Sequence, residues 1–189
     1  ASARVSIAIK PVNDAPTLAG IADQVLLEGQ SLSFHLAAAD VDGDTLSYRV
    51  SGAGALLDQS GLFRFTALDG DSSQSFTVQV SDGEIIAERS FTIDVANVAP
   101  TLSVTGSAFA AGGTPYVVHF SATDPGQDTI SAWVVNWGDG LSETLAGTAT
   151  QASHLYSRAG GRFTIETSAS DEDGSYRAVP VDVTVSRDL

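Results

Sequence analysis

The chain repeats itself at one fixed spacing. Asn13-Asp14-Ala15-Pro16-Thr17-Leu18 returns 84 positions later as Asn97-Val98-Ala99-Pro100-Thr101-Leu102. The same offset carries Ala38-Ala39-Asp40 onto Ala122-Thr123-Asp124, and Asp44-Thr45-Leu46-Ser47 onto Asp128-Thr129-Ile130-Ser131, without a gap. Repetition around a Pro-containing joint implies stacked modules rather than one large core. The seam at Asp94–Leu102 divides 189 residues into halves of roughly 90, each long enough to bury a modest core of its own. The resulting division is 12–97 and 98–189, preceded by residues 1–11. In that leading stretch Val5, Ile7 and Ile9 alternate with polar or small residues up to Pro11. It reads as the last strand of a preceding repeat or as an arm pairing with the first domain.

Within each half the apolar runs are short, and Gly, Asp and Ser interrupt them every eight to twelve residues, the spacing of a β-sandwich. Strands are expected at 21–27, 31–38, 45–51, 62–66, 75–81 and 86–96, then at 102–105, 115–122, 129–137, 162–170 and 178–186. Ser75-Phe76-Thr77-Val78-Gln79-Val80 shows the alternation best, with one face inward and one wet. No amphipathic helix is visible, so the expected class is all-β, two tandem sandwiches.

One lysine and eight arginines stand against 23 acids, a formal charge of −14. Such a surface repels phosphate backbones, which excludes nucleic acid as a partner. With no cysteine, neither a disulfide nor a thiolate metal site can form. No apolar run approaches the ~18 residues of a membrane span, so direct insertion is not expected. The chain opens at Ala1 without an initiator, and we expect it to be a piece of a longer polypeptide.

Alternating strand directions place alternate loops at the same end of a sandwich. Asp40-Val41-Asp42-Gly43-Asp44 and Asp82-Gly83-Glu84 then fall beside Asn13-Asp14 at the end where the chain comes in. At the outgoing end, Glu28 and Leu68-Asp69-Gly70-Asp71 approach Asn97. Carboxylates gathered in this way repel one another unless a cation neutralises them, and Ca2+, which takes six to eight oxygens at about 2.3–2.6 Å, suits them.

Gly61-Leu62-Phe63-Arg64-Phe65-Thr66-Ala67-Leu68-Asp69-Gly70-Asp71, then Phe76-Thr77-Val78-Gln79-Val80-Ser81-Asp82-Gly83, is similar to the LDRE loop and A-x-D-G strand end of cadherins. With Val12-Asn13-Asp14-Ala15-Pro16-Thr17 and the DVDGD run, residues 12–100 resemble bacterial cadherin-like repeats, including the dystroglycan-type group. The resemblance implies a Greek-key sandwich with Ca2+ near repeat boundaries. Carried over position by position, the ligands would be Asp14, Asp40, Asp42 and Asp82 at the incoming end, with Glu28, Asp69, Asp71 and Asn97 at the outgoing end. The seam departs from the cadherin linker at Ala96 and Val98, and Asp124-Pro125-Gly126 lacks the second acid of D-x-D. The expectation is therefore a stronger site at the incoming end than at the seam.

The second half resembles PKD domains: Trp137-Gly138-Asp139-Gly140, His154-Leu155-Tyr156, Gly161-Arg162-Phe163-Thr164-Ile165 and Asp171-Glu172-Asp173-Gly174 follow the family's WGDG, H-x-Y, G-x-F and D-x-x-G elements in order. This implies an Ig-like sandwich used as an extracellular spacer, sometimes beside the catalytic modules of secreted hydrolases. Trp133 and Trp137 share a parity, so on one strand they share a face; core packing is the simplest role, and a sugar-stacking platform is the other.

Catalysis is not expected. His35 and His119 lie in strand-like runs, His154 belongs to the H-x-Y element, and no G-x-S-x-G elbow exists. DVDGD is not an EF-hand, because positions six and twelve counted from Asp40 are Thr45 and Ser51 instead of Gly and Glu. The expectation is a non-catalytic, calcium-binding structural or adhesive tandem repeat of a large bacterial surface or secreted protein. Its partners would be neighbouring repeats of the same polypeptide, with surface glycans or proteins as further candidates. The competing reading is a carbohydrate- or protein-binding accessory module of a secreted hydrolase.

Overall fold

The computed structural model describes residues 12–156 and 160–186; the leading strand expected within 1–11 lies outside them. The described residues are all-β, and their contacts form two compact units.

In the first unit the strands are β1 (Thr17–Leu18), β2 (Gln24–Leu27), β3 (Ser31–His35), β4 (Ala38–Ala39), β5 (Ser47–Ser51), β6 (Leu56–Leu57), β7 (Leu62–Thr66), β8 (Ser72–Ser81) and β9 (Ile86–Ala96). One sheet has the order β2-β9-β8-β5, the other β3-β7-β6, and β1 pairs with β4. The run expected as a single strand at 31–38 is divided. β3 pairs with β7, whereas Ala38 and Ala39 leave it and pair antiparallel with Leu18 and Thr17. The inward residues obey the alternation that the sequence showed, since Phe76, Val78 and Val80 of β8 and Phe91, Ile93 and Val95 of β9 are all buried. Phe63 lies edge-on to Phe76 at 5.7 Å and to Phe91 at 5.4 Å, a geometry that adds to the value of burying the rings.

Among the described residues nine strands belong to the second unit, β10 (Thr101–Gly106), β11 (Phe109–Ala111), β12 (Tyr116–Thr123), β13 (Ala132–Asn136), β14 (Ser142–Ala146), β15 (Gln151–His154), β16 (Gly161–Ser170), β17 (Ser175–Arg177) and β18 (Val181–Ser186), and the last residues of β9 also make their contacts there. One sheet runs β10-β12-β15 and the other β11-β18-β16-β13-β14, with β17 on β16. β11 is parallel to β18, and the remaining pairings of this unit for which a register is resolved are antiparallel. Two short segments that precede residue 98, Leu27–Gly29 and Ala67–Asp71, also make their contacts in this unit.

Both tryptophans are 2% exposed and sit in the core with Tyr116, Phe120, Tyr156, Ile165 and Val183. Core packing is thus their role, and an exposed-tryptophan platform is not available. The WGDG turn is fastened from several sides. Gly138 and Gly140 take positive φ of 79° and 94°, which suits glycine, and the Leu141 amide donates to Asp139 Oδ1. His154 stacks on Trp137 at 4.9 Å and reaches Asp139 Oδ2 with Nε2 at 2.8 Å. Burial raises the Asp139 carboxyl, but the bonds from His154 and the Leu141 amide bring it below its ordinary value. The Tyr156 hydroxyl donates to the Trp137 carbonyl at 3.0 Å, and burial pushes its pKa up to about 12. These contacts account for the H-x-Y element as a clamp on the turn.

Candidate metal centre

The acids converge in two places. In the first unit, carboxylate oxygens of Asp40, Asp42 and Asp44 lie within 4.8 Å of one another. Asp40 Oδ1 accepts from the amides of Asp42 and Asp44, Asp42 Oδ2 accepts from the Asp14 amide at 2.8 Å, and Asp40 Oδ2 is buried without a hydrogen-bond partner. Asp14 thus joins through its backbone. Asp82 lies in the next loop, where it accepts from the Ile85 and Glu84 amides and from Asn13 Nδ2. The bond from the Ile85 amide, then those from Asn13 and Glu84, hold the Asp82 carboxyl below its usual range. Asp14, Asp42 and Asp44 are exposed, and Asp40 and Asp82 are half-buried.

The other convergence lies within the second unit. Glu28, Asp124 and Asp128 bring carboxylate oxygens within 4.8 Å of one another, and Asp69, Asp128 and Asp173 form a second such group that shares Asp128. Glu28 is 2% exposed. Its Oε1 accepts from the Val98 amide at 2.8 Å, while Oε2 is buried without a hydrogen-bond partner. Asp124 Oδ1 accepts from the Gly126 amide at 2.7 Å; Asp124 Oδ2, both oxygens of Asp128 and Oδ2 of Asp171 are likewise buried and unpartnered. Native proteins leave few buried polar atoms unsatisfied, so five orphaned carboxylate oxygens on four side chains need a compensating charge. At about 5 Å and an effective dielectric of about 20, each like-charged pair repels by on the order of 3 kcal/mol.

Protonation is one compensation. Burial, then the charges of Glu28 and Asp124 and the neighbouring Asp173 carboxyl, push the Asp128 pKa up to about 7. Burial likewise raises Glu28, reinforced by Asp124 and Asp173 and opposed by the Val98 amide. A divalent cation is the alternative. The donor set is all hard oxygen, with no sulfur or imidazole among its members, as Ca2+ prefers.

Of the outgoing-end residues taken from the sequence, Glu28 and Asp69 enter these groups. Asp71 belongs to neither; it is exposed, with a positive φ of 44°. Asn97 is turned to another purpose, its Nδ2 donating to the Tyr176 hydroxyl at 3.1 Å. Asp124, Asp128 and Asp173 were not singled out as ligands, although the 84-residue offset makes Asp124 and Asp128 the counterparts of Asp40 and Asp44. The missing acid of Asp124-Pro125-Gly126 has a steric reason. A Cβ on Gly126 would lie 2.6 Å from Glu28 Oε2, so a side chain at 126 would have to displace the Glu28 carboxylate.

Residues 13–96 match the bacterial Ig domain family. No curated protein matches the chain in sequence. Among solved structures, the Z1Z2 domains of titin, crystallised in complex with telethonin, superpose with a TM-score of 0.52 at 15% identity, covering 94% of this chain and 98% of that one. Human protocadherin-24 EC1-2 gives a TM-score of 0.45 at 20% identity over 92% of this chain and 99% of that one. The PKD domain of an M14-like peptidase from a Thermoplasmatales archaeon gives 0.40 at 26% identity, covering 50% of this chain and all of that one. The chain is a tandem of Ig-like β-sandwiches, with a bacterial Ig domain match over its first half.

Proposed function

We propose that this chain is a non-catalytic, calcium-binding spacer of an extracellular, surface or secreted bacterial protein, serving adhesion through neighbouring repeats of the same polypeptide. The observation that carries the reading is the buried Glu28, whose Oε2 is unpartnered and whose carboxylate lies within 4.8 Å, oxygen to oxygen, of those of Asp124 and Asp128. These three residues would hold the ion, and the ion would supply the positive charge that the surrounding protein withholds. What the chain itself does is bring remote segments together. Glu28 lies in the 27–29 segment, Asp124 and Asp128 in the β12–β13 loop, and the Gln127 amide donates to the Leu68 carbonyl at 2.7 Å. A cation at Glu28 therefore cross-links chain segments about 100 residues apart in sequence, as loop closure by a metal does. Sites of the affinity common in extracellular modules, on the order of 10⁻⁴ to 10⁻³ M, are filled outside a cell and vacant inside it.

Calorimetric titration of the dialysed, metal-free chain with Ca2+ tests the reading, alongside melting curves in millimolar Ca2+ and in EDTA. The expected result is saturable binding, a higher melting temperature in Ca2+, and loss of both in Glu28→Gln. Identical melting curves with no binding heat would sink it.

A further inference from the structure

The β12–β13 loop, residues 124–131, carries two features at once. It bears Asp124 at its start and Asp128 near its middle, and then Ile130, which is packed against the core that contains Trp133. The loop borders an open pocket of about 350 Å3, lined from the loop by Asp124, Asp128, Thr129 and Ile130 and from the sheets by Phe120 and Trp133, among others. The loop's trailing end is fixed: the Ser131 amide donates to the Ser170 carbonyl at 2.8 Å, and the Ser131 carbonyl accepts from the Gly147 amide at 3.0 Å. The Gly147 carbonyl also accepts the Trp133 indole N–H at 3.2 Å, so the loop's anchor and the indole's hydrogen bond meet at one residue. Along the rest of the loop, the Gly126 amide bonds Asp124 Oδ1, and the Gln127 and Thr129 amides reach the Leu68 carbonyl and Glu172 Oε2, the bonds that a lifted loop would break.

We propose that the β12–β13 loop is a cation-held flap over the Trp133 side of the second sandwich. This inference rests on the calcium reading above. With a cation between Glu28, Asp124 and Asp128, the loop lies down and Ile130 covers Phe120 and Trp133. Without one, the repulsion of Asp124 and Asp128 from the buried Glu28 acts on the loop that carries them, and the open pocket beside it lets water in as the loop lifts. Occupancy at the carboxylates is thereby converted into exposure of apolar surface, a packed element with two arrangements that the ion biases.

The test uses the full chain in saturating Ca2+ and in EDTA. Amide hydrogen exchange is followed at Gln127, Thr129 and Ser131, and acrylamide quenching is followed in Trp137→Phe, where Trp133 is the remaining reporter. The expected outcome is exchange at least about tenfold faster in EDTA, the equivalent of about 1.4 kcal/mol of local opening, with Trp133 quenched more strongly. Ile130→Ala should quench Trp133 strongly in both conditions while Ca2+ still binds. Should Trp137→Phe fail to fold, the exchange measurement on the unaltered chain decides alone. Normal Ca2+ binding with equal exchange in both buffers overturns the flap and leaves the calcium reading intact; absence of Ca2+ binding overturns both.

Discussion

The Asp40, Asp42, Asp44 group and the Glu28, Asp124, Asp128 group each bring three carboxylate oxygens within 4.8 Å of one another, yet their chemistry differs. At Asp40, Asp42 and Asp44 most of the charge lies at the surface or against backbone amides: Asp42 and Asp44 are exposed, Asp40 Oδ1 accepts from two amides, and in this group Asp40 Oδ2 alone is buried without a hydrogen-bond partner. At Glu28, Asp124 and Asp128 the amides satisfy one oxygen each of Glu28 and Asp124 and none of Asp128, and solvent is shut out of the rest. Convergence of acids is therefore a poor guide to a cation site. What distinguishes one is the shortage of donors after burial, since a carboxylate that receives two amide bonds is already stabilised as an anion.

The largest expected effect separates the two groups directly. At a Ca2+ concentration 100 times the dissociation constant, linkage adds about 2.7 kcal/mol to the folded state. Glu28→Gln and Asp128→Asn should remove that gain, measured as the difference between melts in Ca2+ and in EDTA. Close behind comes Gly126→Asp, which restores the D-x-D pattern by sequence. It places a Cβ 2.6 Å from Glu28 Oε2, so it is expected to cost about 1–3 kcal/mol, as overpacking does, and to weaken Ca2+ binding. Tighter binding by this variant would show that the carboxylate at 28 yields its place readily, and would break the comparison.

The sandwiches were legible in the sequence because burial follows a period of two, as in Phe76, Val78 and Val80. The short strands β1, β6, β11, β14, β15 and β17 were not. Gln151-Ala152-Ser153-His154 buries only Ala152 deeply, and such a strand is specified by its partner β12 more than by its own residues. The expected strand at 129–137 begins only at Ala132, since the preceding residues serve the loop that carries Asp128. At the candidate site, Glu28 and Asp69 could be read from spacing. Asp128 could not, because its environment is made by Glu28, 100 positions earlier, and Asp173, 45 positions later. Gly126, which looks like a lost ligand in the sequence, is in space the room that Glu28 occupies.

The pH dependence of the metal-free protein should differ in sign between the two regions. Asp128 has a folded pKa raised from 3.8 to about 7. Its protonated form is favoured by folding, so its contribution is fully present below about pH 4 and is lost as pH rises through 7. Asp82 has a depressed folded pKa, so its contribution is present above pH 3.8 and is lost as pH falls below that value. Urea melts in EDTA should therefore show stability declining from pH 5 to pH 8, and Asp128→Asn should flatten the decline. In excess Ca2+ the slope should reverse, because protons then compete with the ion. A metal-free protein that grows steadily more stable over this range would indicate that Asp128 is solvated.

The smallest effects belong to the first group, and they are the most discriminating. Asp42→Asn keeps an oxygen to accept the Asp14 amide and changes one exposed charge, so it should alter stability by less than about 0.5 kcal/mol, as surface substitutions do. Asp40→Ala removes the acceptor of two amides and should cost about 0.5–2 kcal/mol, comparable to loss of a helix cap. Neither should change the number of Ca2+ ions bound, nor the difference between melts in Ca2+ and in EDTA. The logic is that a carboxylate whose lone pairs are occupied by fixed amides gains little from an ion that must displace water and reorganise the turn. A reduction in stoichiometry for Asp42→Asn, with Glu28→Gln still binding, would assign the ion to the amide-rich loop and show that exposure, rather than a shortage of donors, governs where this chain takes its cation.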